Sequence, residues 1–159
     1  MQSQSKTMKV LTFHIGQDRY GLRLSPIVRV LPLLELKHLP LAPDHVAGLM
    51  DFHGASVPVI DLCRLAGLAP GRDCFDTRII IVDYLAPDGV SHLLGLLAEH
   101  VLGIQQINPA GLADSGVSAA PFLGQVASDA NGIVQLIELE QLLPASLRAI
   151  LFQNENHAA

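Results

Sequence analysis

The strongest constraint on this chain is a period-two alternation of side chains, in short runs broken by glycine and proline. In "KVLTFHIG", Leu11, Phe13 and Ile15 share one face while Val10, Thr12 and His14 share the other, as in a half-buried strand. "RYGLRL" repeats the pattern with Tyr20, Leu22 and Leu24, and Gln17-Asp18 after Gly16 supplies a tight turn, so the two runs form a β-hairpin. "SPIV" then offers Ser25 as an N-cap and Pro26 at the first helical position, predicting one helical turn. The prolines of "LPLAPDHV" bias their neighbours to extended backbone and predict a linker-like arm. "GLMDFHG" and "ASVPVIDL" read as two strands joined at Gly54. Pro58, which cannot donate to a ladder, marks the second as an edge or a bulge.

Further along, "CRLAGLAPGRD" predicts a short helical turn ended by Gly67 or Gly71, and "TRIIIVDY" a buried strand. "GVSHLLGLLAEHVLGIQQI" holds two more strands, since Gly95 and Gly103 argue against a helix. "NPAGLADSGVSAAP" is loop-like, and "DANG" is a turn between two apolar runs, with Asn131-Gly132 suited to positive φ. The end predicts one helical turn, a break at Pro144 and an amphipathic helix with Leu147, Ile150 and Leu151 on one face. The expectation is one mostly β domain over 8–152, with flexible tails at 1–7 and 153–159.

Composition bounds what such a fold can do. A chain of 159 residues can form one ordinary domain or two small barrels sharing a core. Charged residues make up 16%, against about 25% in ordinary soluble domains, so an apolar surplus is expected in grooves or patches. The most apolar segment, "HLLGLLAEHVLGI", is interrupted by Glu99 and His100 and falls short of the roughly 20 residues of a membrane span. The N-terminal residues carry no apolar signal region, which predicts a cytoplasmic protein. Cys63 and Cys74 then read as reduced thiols. A net charge of −5 without a basic cluster argues against nucleic acid and anionic membrane surfaces.

Chemistry is hard to find. His14, His38, His45, His53, His92, His100 and His157 show no metal-binding spacing, so no metal is expected. No nucleophile elbow or phosphate-cradling loop is present. Asp51, Asp61 and Asp83 end or interrupt predicted strands, and a pair of them could meet; Asp61 also suits the cap of the turn at "LCRLAG".

Taken in order, "FHIGQDRYGLRLSPIVRVL", "LPLAPDHVAGLMDFHGASVPVIDL", "TRIIIVDY", "HLLGLLAEHVLGI" and "FLGQVASDANGIVQLIELEQLL" resemble the CheW-like family of bacterial chemosensory coupling proteins, from about Val10 to Leu143. The most specific parts are Tyr20-Gly21 after a glycine hairpin, Pro43 followed by Gly48, His53-Gly54 where the family usually has Arg-Gly, and "VPVIDL". The resemblance implies two SH3-like five-stranded β-barrels around a shared hydrophobic core, with short helices, a C-terminal helix, no catalytic activity and no cofactor. It also implies two partners, the cytoplasmic tip of a methyl-accepting chemoreceptor and the regulatory domain of a CheA-type histidine kinase, at membrane-bound receptor clusters without insertion into the bilayer.

Carried over by residue, Ile27 and Val30 match the receptor-groove segment, and Gly95 matches a small residue where a receptor approaches the backbone, unless it is a strand bulge. Leu39, Leu41 and Val46, beside the proline arm, are candidates for the kinase-binding surface, while Val57, Val59 and Leu62 are assigned to the first barrel. Two departures stand out: His53 replaces an arginine, and Arg29 stands where many members carry an acid. Opposite changes at the two positions suggest an interface rewired for an alternative array, such as one for surface sensing. The competing readings are a small β-barrel enzyme using Asp51, His53 and Asp61, and a regulator that binds the kinase alone.

Overall fold

The computed structural model describes residues 7–68, 77–116, 120–129 and 132–152. Among the described residues nine strands follow one another along the chain: β1 (Met8–Ile15), β2 (Asp18–Arg23), β3 (Ile27–Pro32), β4 (Val46–Phe52), β5 (Ala55–Asp61), β6 (Arg78–Leu85), β7 (Ser91–Ile107), β8 (Leu123–Asp129) and β9 (Gly132–Ile137). Two short helices, α1 (Leu62–Leu65) and α2 (Ala145–Leu151), and two 3₁₀ turns, Pro109–Gly111 and Leu139–Gln141, complete it.

The organising element is β7. The sequence predicts two strands there, but the backbone runs through as a single strand of 17 residues. Its first half pairs antiparallel with β6 and parallel with β5, and its second half pairs antiparallel with β1. Two residues near its middle mark the crossing: His100 and Gly103 take positive φ values of 49° and 131°, bending the strand from one barrel into the other.

Around the first half of β7 lie β3, β6, β5 and β4; around the second half lie β1, β2, β9 and β8. Neither five-stranded sheet closes by a full ladder. Each is brought round by one isolated two-bond bridge, Lys37 with Leu49 in the first barrel and Ala113 with Val126 in the second.

Alternation then sorts side chains into three cores. On β6, Ile79 and Ile81 enter the first barrel with Met50, Val57, Val59 and Leu97, while Ile80, Val82 and Tyr84 enter the core shared between the barrels. On β1, Val10 enters the second barrel with Val134 and Leu136, while Leu11, Phe13 and Ile15 enter the shared core. Leu62 also belongs to the shared core. β1, predicted to be half-buried, is therefore buried on both faces over most of its length, and β6 is buried as predicted, because a barrel lies on one side and the common core on the other. Much of the apolar surplus goes there rather than to the surface.

Four local expectations change. The Gly16-Gln17 pair, not Gln17-Asp18, makes the first turn, since Asp18 already pairs with Ile15. "SPIV" forms a turn in which the Ile27 N–H donates to the Leu24 carbonyl at 2.9 Å; strand pairing with β6, from Ile27 onward, takes the backbone a helix would need. Pro58 lies in an inner strand, one residue before pairing with β7 begins, so the strand has β4 alone as its partner there. Ile150 is 49% exposed, and the buried face of α2 is formed by Leu147 with Leu151 and Phe152 packed beside it. Gly71, Cys74, Asn131, residues 1–6 of the N-terminal tail predicted at 1–7, and the tail predicted at 153–159 with His157 lie outside the described residues.

Candidate partner-binding surfaces

The β4–β5 hairpin places His53. A two-residue turn joins the strands, with φ of 52° at His53 and 88° at Gly54, the backbone of a primed hairpin turn. The Asp51 carboxylate accepts from the Gly54 N–H at 2.9 Å, and the His53 ring packs edge-on against Phe52 with centroids 4.5 Å apart. Both His53 and Asp51 are exposed. Asp61 sits at the far end of β5, roughly 20 Å away at strand rise. There its buried carboxylate accepts from the Cys63 and Arg64 N–H groups at 3.0 and 3.4 Å, capping α1 as the sequence predicts. Gly67 ends that turn: its N–H donates to Arg64 and that of Leu68 to Cys63, the Schellman pattern. Asp51, His53 and Asp61 are thus not assembled, and the enzyme reading loses its proposed constellation.

Cys63 is a buried thiol whose Sγ lies 3.7 Å from a Glu99 carboxylate oxygen. Burial pushes its pKa up, and the Glu99 and Asp61 charges push in the same direction, so it is a poor nucleophile. Among the described residues no group of three histidine, cysteine or acidic side chains is placed to hold a metal ion. Among them, too, no helix is long and apolar enough to cross a membrane.

The feature between the barrels is a cleft of about 280 Å³. Leu22 and Arg23 of β2 with Ile137, Glu138, Leu139 and Glu140 form the wall on the second-barrel side, and Asp83 and Leu85 of β6 form the wall on the first-barrel side. Ser25 and Pro26, in the turn that links β2 to β3, span the two walls. Leu22, Ile137 and Leu139 are buried, giving an apolar floor. Arg23 pairs with Glu138 across 3.5 Å. Gly124 leaves room for this placement of the carboxylate, since a Cβ there would come 2.6 Å from Glu138 Oε2. A larger depression of about 440 Å³ lies beside α2, where Phe152 stacks on His92 at 4.2 Å and on the buried Tyr84 at 5.7 Å.

The expected receptor-facing residues divide. Ile27 follows the cleft residue Pro26 and packs partly into the shared core. Arg29 and Val30 are exposed on β3, which pairs with β6. His53 is on the separate hairpin tip, and neither it nor Arg29 makes an ion pair among the described residues. Gly95 is buried, in unbroken register with Val59 and Ile81. A Cβ there would meet Val59 Cγ2 at 2.9 Å and Ile79 Cγ2 at 3.2 Å. It is neither a bulge nor a surface: the missing side chain makes room inside the first barrel.

Among the kinase candidates, Val46 packs against the shared core, Leu39 is half-buried and Leu41 is fully exposed. Leu41 follows Pro40 in a turn with φ of 65°, the third-position geometry of a type II turn that normally calls for glycine.

The CheW-like domain family matches residues 9–146. The chain belongs to that family. The chemotaxis protein CheW of Klebsiella aerogenes is 26% identical over 149 residues, covering 89% of this chain and 84% of its own length. The protein FrzA of Myxococcus xanthus is 28% identical over 138 residues, covering 82% of each. The scaffolding protein TtCheW of Thermoanaerobacter tengcongensis superposes with a TM-score of 0.78 over 92% of this chain and 94% of its own, at 20% identity. The CheW-like fold of two SH3-like β units is therefore the fold of this chain. Sequence reasoning assigned none of the second-barrel cleft residues to a site, because Arg23 and Glu138 lie far apart in the chain and no local pattern joins them.

Proposed function

We propose that this chain is a non-catalytic adaptor, holding the cytoplasmic tip of a methyl-accepting receptor and the regulatory domain of a CheA-type histidine kinase at once. The observation that carries the reading is the family match over 9–146. Two apposed barrels with an apolar-floored cleft between them suit it, since a helix hairpin needs a groove for its apolar face. The receptor occupies the cleft beside Ile27, with Arg29 and Val30 at its margin. The kinase contacts the first barrel around Leu41, a leucine displayed at full exposure in a conformation leucine rarely adopts. Such an adaptor works at receptor clusters without entering the bilayer.

Calorimetric titration against the regulatory domain of the cell's CheA-type kinase tests this reading. Micromolar or tighter binding, weakened by Leu41→Asp, is the expected result. No binding to that kinase or to any other from the same cell overturns it. The rewiring of His53 and Arg29 toward an alternative array has its own test. A His53→Arg, Arg29→Glu double variant is expected to bind its own receptor and kinase more weakly, and unchanged affinity for both sinks the idea.

A further inference from the structure

The cleft carries more charge information than its apolar floor requires. Asp83 stands on the first-barrel wall and Glu140 on the second-barrel wall, both exposed, and neither has an ion-pair partner among the described residues. Among the described residues lining the cleft the one cation, Arg23, is already engaged by Glu138. Three carboxylates therefore line the cleft with one guanidinium among its described residues, and the two without a partner stand on opposite walls.

We propose that the cleft selects its occupant by charge, accepting an apolar helical segment that carries a lysine or arginine, whose cation seats between Asp83 and Glu140. The proposal rests on the adaptor reading above and adds to it what the receptor tip must present. The Arg23–Glu138 pair matters because it keeps the guanidinium from occupying that place. Glu138 lies over Gly124, where a Cβ would come 2.6 Å from Oε2 and shift the carboxylate from its present place. Exposed pairs of this kind are weak one by one and screened by salt, so they discriminate among partners more than they add affinity.

The test uses the full chain and, as probe, the soluble cytoplasmic fragment of a methyl-accepting receptor from the same cell, titrated at low and high salt. Asp83→Lys with Glu140→Lys is expected to weaken fragment binding by about tenfold or more at low salt, and by less at high salt. Binding to the kinase regulatory domain should not change. Asp83→Asn with Glu140→Gln should weaken the fragment by about three- to tenfold, and this neutral pair carries the test if the reversed pair does not fold. Gly124→Ala, which alters no charge and does not line the cleft, should also weaken it by displacing the Glu138 carboxylate from Arg23. Fragment binding unchanged or tightened in both acid variants overturns the proposal and leaves the adaptor reading standing. A fragment that fails to bind the unaltered chain overturns receptor binding and the proposal together.

Discussion

The two barrels share a strand count, a long strand and a closing bridge, yet they are filled differently. The first encloses Met50, Ile79, Ile81 and Leu97 with Val57 and Val59; the second encloses Val10, Ala127, Val134 and Leu136 with Ile107. A glycine lies on the inward face of each, Gly95 in the first and Gly21 in the second. An added methyl at Gly95 would come within 2.9 Å of Val59, whereas at Gly21 its nearest neighbour would be Val134 at 3.2 Å. The first barrel is thus the bulkier and tighter of the two. A small depression of about 110 Å³, bordered by Ile107 and Ala127, also indents the second. One topology can tolerate two packing solutions because both barrels lean on the same central core, which neither has to supply alone.

The largest effect should come from emptying the first barrel. Ile81→Ala removes a fully buried side chain from a filled interior and is expected to cost about 2–5 kcal/mol in chemical denaturation. Val134→Ala, the corresponding cut in the second barrel, removes less volume and should cost about 2 kcal/mol. Equal losses would break the comparison, because they would mean that the two interiors are equally unyielding.

Adding a methyl probes the same difference from the other side. Gly95→Ala is expected to destabilise by about 1–3 kcal/mol, since both contacts are branched side chains fixed in neighbouring strands. Gly21→Ala meets Val134, Val10 and Leu136 at 3.2 to 3.4 Å, where small shifts suffice, and should cost about 1 kcal/mol or less. Thermal melting of the two variants side by side checks the order. A Gly95→Ala melt above that of Gly21→Ala would show that the first barrel has slack after all.

How much of this was legible in the sequence follows from what each feature depends on. The hairpins around Gly16 and Gly54 and the cap at Asp61 are local, set by turn chemistry and by side-chain reach over two or three residues, and the alternation announced them. Burial on both faces of β1 was not legible, because alternation with an apolar residue on each face looks the same whether the second face meets water or another core, whereas the unbroken apolar run of β6 did announce a buried strand. The continuity of β7 was hidden for a related reason: Gly103 argues against a helix but does not tell one bent strand from two, and here its positive φ bends a strand that keeps its pairing to β1. The order of motifs did point to the CheW-like family, and the inter-barrel groove came with it. Its polar walls did not, since they depend on how distant segments cross.

The smallest effect separates stability from display. Pro40 fixes the start of a turn whose next residue, Leu41, must take φ of 65°, where an L side chain crowds the following carbonyl. Its side chain is fully exposed, so no burial offsets that strain. Leu41→Gly removes the crowding but enlarges the freedom of the unfolded chain, and the difference should leave the variant unchanged or more stable by about 0.5 kcal/mol. If Leu41 serves kinase binding, the same variant should bind the kinase regulatory domain more weakly, so that stability and affinity move apart. Val46→Ala gives the contrast, because Val46 packs against the shared core and its loss should lower stability first. A Leu41→Gly variant that melts lower and binds as tightly as the original would show that the exposed leucine belongs to the fold of the first barrel and not to its partner.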